Sequence, residues 1–386
     1  MMSRKKIEEQ LPPGFKLQLS DGDSEEFFIN LGPQHPSTHG ALRLVVRLDG
    51  ETVREIVPYM GYIHRGIEKQ AESQSVLQYI MMSDRMDYLT SHQNNHAVCL
   101  AIEKAMDIGV PERGEYIRVL VSELQRISSH LVFMGSFGTD LGGTTTFLYA
   151  FKARELISQI FDELTGSRLT VNFFRPGGSF ADLPESFVPM TREMIDKTRR
   201  ALDEWDQLLT GNIIFQERTR NVGFLSAERA IALGCSGPVL RGSGVAYDVR
   251  KDDPYSVYDR FKFDIPVGSR GDSWDRYIVR IEECRQSLNI IEQALDQLPG
   301  GHWRSKEKVS YRLPEGTWWG VVESAKGIWG TMIEAPGKSD KPWRIKTRSP
   351  SFSNLMALDE MCRGHKVADI ITILGTIDPV IPDVDR

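Results

Sequence analysis

ALRLVVRLDGETVREIV, residues 41–57, sets the starting point for the fold. Leu42, Leu44, Val46 and Leu48 alternate with Arg43 and Arg47, the two-residue period of a strand with one face covered. Asp49-Gly50 supplies a tight turn, and 52–57 returns as the second arm of a hairpin. Upstream, 27–31 has strand composition, so the first 60 residues should form a small sheet. Downstream the period changes. In PERGEYIRVLVSELQRISSHL, residues 111–131, Ile117, Leu120, Val121, Leu124, Ile127 and Leu131 recur every three or four positions behind a proline suited to a first helical turn. Similar patterns predict helices over 71–82, 86–106, 147–164 and 191–209, a bundle of four or five. Glycine-rich, strand-like stretches follow between 234 and 267. A long helix over 275–298 stops at Pro299-Gly300-Gly301, strands are expected at 320–323 and 328–335, and helical material at 354–374. The fold class is α+β. It divides into a polar tail (1–26), a small sheet (27–60), a helical bundle (61–230) and a mixed C-terminal region (231–386).

The composition is that of a globular chain: 386 residues, 26% charged and 40% hydrophobic, which excludes disordered and fibrous classes. Forty-seven Lys+Arg against 53 Asp+Glu leave a net charge of -6, a poor basis for general nucleic-acid binding. No apolar run approaches the roughly 18–20 residues of a membrane span, and residues 1–10 lack the pattern of a secretory signal. Cys99, Cys235, Cys284 and Cys362 form no CxxC pair, so they suit a reducing compartment and offer neither a zinc site nor a disulfide framework.

Chemistry-bearing residues cluster early. GPQHPSTHG, residues 32–40, carries two prolines and two terminal glycines that forbid a helix, so His35 and His39 sit on a stiff loop. Such a loop can present imidazoles to a cavity, or its histidines can simply satisfy backbone groups. His92 and His96 share a helical face at i, i+4, as zinc ligands do, but the general-base Glu and a third ligand are missing. A polar helix face is the alternative. Asp84-Arg85-Met86-Asp87-Tyr88 concentrates two carboxylates, a guanidinium and a phenol at a helix start, where capping and local ion pairs are also common. GSFGTDLGG, residues 135–143, has no phosphate-loop spacing and suggests a break between helices.

Taken together, GPQHPSTHGALRL (32–44), GYIHRGIEK (61–69), DRMDYL (84–89), RPGG (175–178), LRGSGVAYDVRK (240–251) and ILGTIDPVIPDVDR (373–386) resemble the 49-kDa-type (D-type) subunit of respiratory complex I, NADH:quinone oxidoreductase. The resemblance runs in order from about residue 27 onward. That family is similar in turn to the large subunit of nickel–iron hydrogenases. Asp87, Thr90, Val380 and Asp383 stand where hydrogenases place their four metal-binding cysteines, and Arg386 where they place a histidine. With all four thiolates replaced, no nickel–iron centre is expected, and the metal assignment is none.

The resemblance implies that the cavity takes a quinone headgroup, ubiquinone or menaquinone. His39 and Tyr88 match the family's headgroup-binding pair, Asp140 matches the carboxylate that bonds the histidine, and His35 lines the same loop. Arg65 and Arg85 match arginines near a terminal iron–sulfur cluster that a partner subunit holds. Thr170 stands where many members carry a histidine near that cluster. Expected partners are the cluster-bearing subunit, the 30-kDa-type subunit and the membrane-arm subunit at the quinone entrance, with no nucleic acid. The expected place is the cytoplasmic face of the bacterial inner membrane, and the chain is not expected to be active alone. The rivals are the same type of subunit in a complex I-like enzyme with another electron donor, and a soluble metalloenzyme built on His92 and His96.

Overall fold

The computed structural model describes residues 26–306 and 311–386; nearly all of the expected polar tail lies outside them. Three antiparallel strands open the chain: β1 (Glu26–Leu31), β2 (Arg43–Asp49) and β3 (Thr52–Tyr59), in the order β1-β2-β3. Leu42, Leu44, Val46 and Leu48 are buried, as their alternation requires. Their face packs on Leu355, Leu358, Met361, Ile373, Leu374 and Ile381, so the first sheet shares a core with the far end of the sequence. Backbone bonds extend that union, from Val53 N to His365 O at 2.8 Å and from Gly364 N to Val53 O at 2.9 Å.

The helical part begins with α1 (Ile67–Ala71) and α2 (Val76–Ser83), where a single helix over 71–82 was expected. The first ends at Ala71 with Glu72 as its cap, and Ser75 starts the second through a capping box with Gln78, a local signal that outweighs the apolar periodicity. Next, α3 (Ser91–Met106) starts five residues later than its pattern suggested, because 84–90 form turns. The central helix α4 (Glu112–Asp140) is 29 residues long and buried on nearly every side. It runs straight through Gly135 and Gly138, correcting the expected break over 135–143. A Cβ on Gly138 would lie 2.2 Å from the Thr146 hydroxyl, so the glycine allows α5 (Thr144–Thr165) to cross close by. The chain reverses only at 141–143.

A two-residue pair, β4 (Phe174–Arg175) with β5 (Gly178–Ser179), precedes α6 (Phe187–Trp205). A correction then applies to 234–267, where strand-like stretches were expected. After α7 (Ile213–Thr219) and α8 (Ala227–Ala232), this stretch forms the short helices α9 (Pro238–Gly242) and α10 (Val249–Asp252) joined by loops. Pro238 sits at a helix start and the Asp248 carboxylate caps the Arg250 amide, and these cues prevail over β-branched composition. The long helix α11 (Ser273–Asp296) packs along α4, as its pattern anticipated.

The second sheet, β6 (Leu313–Ser324), β7 (Gly327–Ser339) and β8 (Arg344–Arg348), is antiparallel in that order and lies on α3. Four short helices follow: α12 (Pro350–Leu355), α13 (Leu358–Cys362), α14 (Asp369–Ile377) and α15 (Ile381–Asp385). The architecture is therefore α+β, a helical centre flanked by two small sheets. No helix among the described residues is long and apolar enough to cross a membrane.

Candidate functional site

The loop between β1 and β2 is held by its own threonine. Thr38, buried, donates its hydroxyl toward the carbonyls of His35 at 2.8 Å and Gly40 at 3.0 Å. Gly32, at φ 84°, passes so close to the Leu42 carbonyl that a Cβ would sit 2.0 Å from its oxygen. This bracing places His39 in the left-handed region at φ 55°, with its ring turned inward. His39 Nε2 lies 2.9 Å from Asp140 Oδ2, at the end of α4, and both side chains are about 15% exposed. The alignment is poor for a hydrogen bond, and neither atom has another partner among the described residues. Two groups expected together on sequence are thus brought together. His35 stays on the outer lip, beside an apolar cavity of about 240 Å³ that Leu31, Leu44, Ile370 and Leu374 also line.

Asp140 and Tyr88 approach the same terminal segment from two sides. A Cβ on Gly375, in α14, would lie 3.7 Å from Asp140 Oδ2. Three residues on, Asp378 closes that helix at φ 56°, and its charge acts on the Tyr88 phenol. Burial pushes the Tyr88 hydroxyl above its ordinary range, and the Asp87 and Asp378 carboxylates add to the shift. The ring itself remains 38% exposed, open to a ligand.

Beneath Tyr88 lies a set of buried acids. Asp87, Thr90 and Asp383 are fully buried and Val380 nearly so, and these are the positions at which the hydrogenase likeness placed thiolates. Asp383 accepts from the Ser349 hydroxyl and from the Trp329 indole N–H at 3.3 Å. Asp378 pairs with buried Lys326, from the turn between β6 and β7. Burial raises the Asp87 carboxyl; Lys326 opposes and the like charge of Asp383 adds, which leaves it at about 7. Asp385 anchors the segment by accepting the Gly61 and Ile63 amides at 2.7 and 3.0 Å. Lys326 was missed on sequence, where a lone lysine in a hairpin turn looks like surface. The density of acids in DPVIPDVDR was the available signal for Asp378.

Arg65 and Arg85 also meet. Arg65 Nη2 donates to the Arg85 carbonyl at 3.3 Å, and both line an open cavity of about 430 Å³ with Gln70, Gln74, Gln78 and Met81. Thr170 lies in a neighbouring loop at φ 54°, two residues before Asn172, whose backbone bonds to Asp84.

His92 and His96 do not form a metal site. His92 Nδ1 is 2.9 Å from Gln125 Oε1 and its ring packs among Phe161, Phe173 and Phe174. His96 Nε2 meets the Ser256 hydroxyl at 3.1 Å, between Phe174 and Tyr255. Burial drives His92 down to about 3 and His96 well below its usual range, the signature of neutral core imidazoles. The metalloenzyme rival loses its ligands to packing.

Comparisons with known proteins give the family. The family model described as the respiratory-chain NADH dehydrogenase 49-kDa subunit matches residues 140–311 and 305–386. The chain is 51% identical over 362 residues to the D-type subunit of NADH-quinone oxidoreductase from Desulforamulus reducens, covering 94% of this chain and 99% of that one. It is 49% identical over 364 residues to the D-type subunit from Dehalococcoides mccartyi, with the same coverage. The C/D-type subunit from Bacteroides fragilis is 46% identical over 364 residues, covering 94% of this chain and 68% of that longer one.

Proposed function

This chain belongs to the 49-kDa-subunit family of the respiratory-chain NADH dehydrogenase, complex I, and from that premise we propose that it forms the pocket in which a quinone headgroup is reduced. As one subunit of an oxidoreductase complex it works with other complex I subunits. The finer reading assigns His39 and Tyr88 to the two headgroup carbonyls, with Asp140 behind His39. The observation that supports it most is the His39–Asp140 contact at 2.9 Å, made across two distant segments and shielded from water.

The chemistry follows from the groups. Reducing a quinone takes two electrons and two protons. A partner's iron–sulfur cluster would supply the electrons, on the side of Arg65 and Arg85. As electron density builds on one carbonyl oxygen, the Tyr88 phenol donates its O–H; a raised phenol keeps its proton until that charge develops. His39 donates at the other end, with the Asp140 carboxylate 2.9 Å behind its Nε2. The apolar cavity beside His35 suits a hydrophobic ring or chain. Neighbours in this reading are the cluster-bearing subunit, the 30-kDa-type subunit and the membrane-arm subunit, with the assembly on the cytoplasmic face of the bacterial inner membrane. The quinone in this reading is ubiquinone or menaquinone.

Tyr88→Phe tests this. It removes the donor and keeps the ring, so assembly should survive while quinone reduction falls by about 10²–10³, the usual loss for one donor aimed at developing charge. Activity of the intact complex, normalised to assembled complex, is the measurement. Wild-type turnover with several short- and long-tailed quinones would remove Tyr88 from the site.

A further inference from the structure

Beneath Tyr88 three buried acids lie within reach of one another's charge. Asp87, Asp378 and Asp383 are all buried; Lys326 pairs with Asp378 and acts on Asp87, which also feels the charge of Asp383. Lys326 bonds Asp378, on which the buried Arg280 guanidinium also acts while donating to the Ile377 carbonyl at 3.4 Å. Arg386 acts on Asp383 from outside, but its Nε donates to Glu68 at 3.3 Å and its guanidinium lies over the Phe352 ring. Arg348 also feels the Asp383 charge, while donating to the Ile328 and Gly234 carbonyls. Against Asp87 itself stand Lys326, Asp383, the Leu89 amide, the Thr90 hydroxyl and the Tyr88 phenol. The amide donates to Oδ1 at 2.9 Å; the Thr90 hydroxyl donates to Asn94 at 3.0 Å and also favours the ionised Asp87, without outweighing its burial. Asp87 Oδ2, fully shielded, has no hydrogen-bond partner among the described residues.

An ionised carboxylate with a bare oxygen in the interior carries a heavy desolvation penalty, and a carboxylic acid escapes it. We propose that Asp87 holds a proton at neutral pH and is the reserve that restores the Tyr88 hydroxyl after each donation to quinone. The inference rests on the quinone reading above. The route is short. Lys326 faces Asp87 and bonds Asp378, and Asp378 faces Tyr88. The Tyr88 O–H bond breaks as an O–H bond forms on the reduced headgroup oxygen, the electrons coming from the partner's cluster. The phenolate takes a proton from Asp378 as Lys326 gives one to Asp378, and Lys326 takes its replacement from Asp87. The Asp87 carboxylate is then reloaded from water reaching the exposed side of Tyr88. One reserve proton is spent and one returned per turnover, with no net change in the set of acids.

The test uses the intact complex. Infrared spectra of the wild type should contain, among the carboxylic-acid C=O bands that shift in D2O, one that Asp87→Asn removes and Asp84→Asn leaves in place. Turnover of Asp87→Asn should fall by about 10²-fold, the low end for losing a proton-transfer group. Asp383→Asn removes the like charge, so Asp87 should ionise more readily and the alkaline decline in turnover should move to lower pH. Asp87→Glu should keep both the band and the decline. A merely structural role would not shift a pH profile. Carboxylic-acid bands that all persist in Asp87→Asn, or an Asp383→Asn profile superimposable on wild type, overturn the proposal. If Asp87→Asn does not assemble, the Asp383→Asn shift and the Asp87→Glu band decide. A silent Tyr88→Phe would instead remove the quinone reading and the delivery step, while the infrared band still decides whether Asp87 holds its proton.

Discussion

Asp84 shows how burial overrules nearby positive charge. Its carboxyl is 2% exposed, and burial lifts it to about 7 although Asn95, the Asn172 backbone, Arg175 and Arg85 all favour the ionised form. An unfolded aspartate ionises near about 3.9, so between about 4 and 7 the folded state binds the extra proton. The stability this confers is complete below about 4 and is lost as pH rises through about 7. Asp84→Asn should therefore raise the melting temperature of the purified complex at pH 8 and flatten its pH dependence, with little change at pH 4; an unchanged profile would mean the group is ionised throughout. The neighbouring histidines mark the limit of sequence at this scale. Spacing put His92 and His96 on one face, correctly, but Gln125, Ser256 and the phenylalanines that occupy them arrive from other elements. His39 and Asp140 were legible only through the family likeness, since nothing local in either segment announces the other.

Among the elements, the seat of the second sheet on α3 is the tightest join. Gly320, in β6, approaches so closely that a Cβ would stand 1.9 Å from the Ala97 carbonyl oxygen and 2.8 Å from the Ala101 amide. Backbone cannot yield as a side-chain tip can, so Gly320→Ala should cost about 1–3 kcal/mol. Gly109→Ala, where a Cβ meets nothing within 4 Å, is the control. Denaturant midpoints of the two variants should differ accordingly, and equal midpoints would show that the sheet slides freely over the helix. The sheet's first two strands were visible as apolar runs, but short, because their outer halves alternate with exposed residues. β8, RIKTR, was not visible: only Ile345 and Thr347 are buried in a strand otherwise lined with charge. The glycines of α4 misled for the same reason that Gly320 matters. A glycine required for close crossing looks, on sequence alone, like a glycine that ends a helix.

Across the whole molecule, charge lies where composition would put oil. Arg126, Arg241 and Arg250 face Glu123, Asp248, Glu283 and Glu323, all of them buried, and His130 completes the set. The links include Arg241–Glu283 at 2.7 Å, Arg241–Glu323 at 2.8 Å, Arg250–Glu123 at 3.1 Å and His130–Glu283 at 2.9 Å. They tie α4 to α9, α10, α11 and β6. Burial pushes the Glu123 carboxyl up, but Arg126 and Arg250 more than offset it and hold it at about 2. Glu283→Gln strips Arg241 and His130 of a shared anion, and breaking a buried pair in this way typically costs about 3–5 kcal/mol. We expect a matching fall in the denaturation midpoint of the complex; a change under about 0.5 kcal/mol would show that the remaining acids re-pair without loss. No pattern in the sequence separates these charges from surface ones, because their partners lie in other elements. The union of the first sheet with α12–α15 carries a consequence of another kind. The Gly61 amide bonds a carboxylate 324 residues later in the sequence. At roughly 5–20 residues per second, a ribosome delivers that partner tens of seconds after the sheet has emerged. For that interval Leu42, Leu44 and Val46 have no cover of their own, so the nascent hairpin must be shielded by a chaperone or exposed to mispairing, and the pocket is completed only once Asp385 has been made.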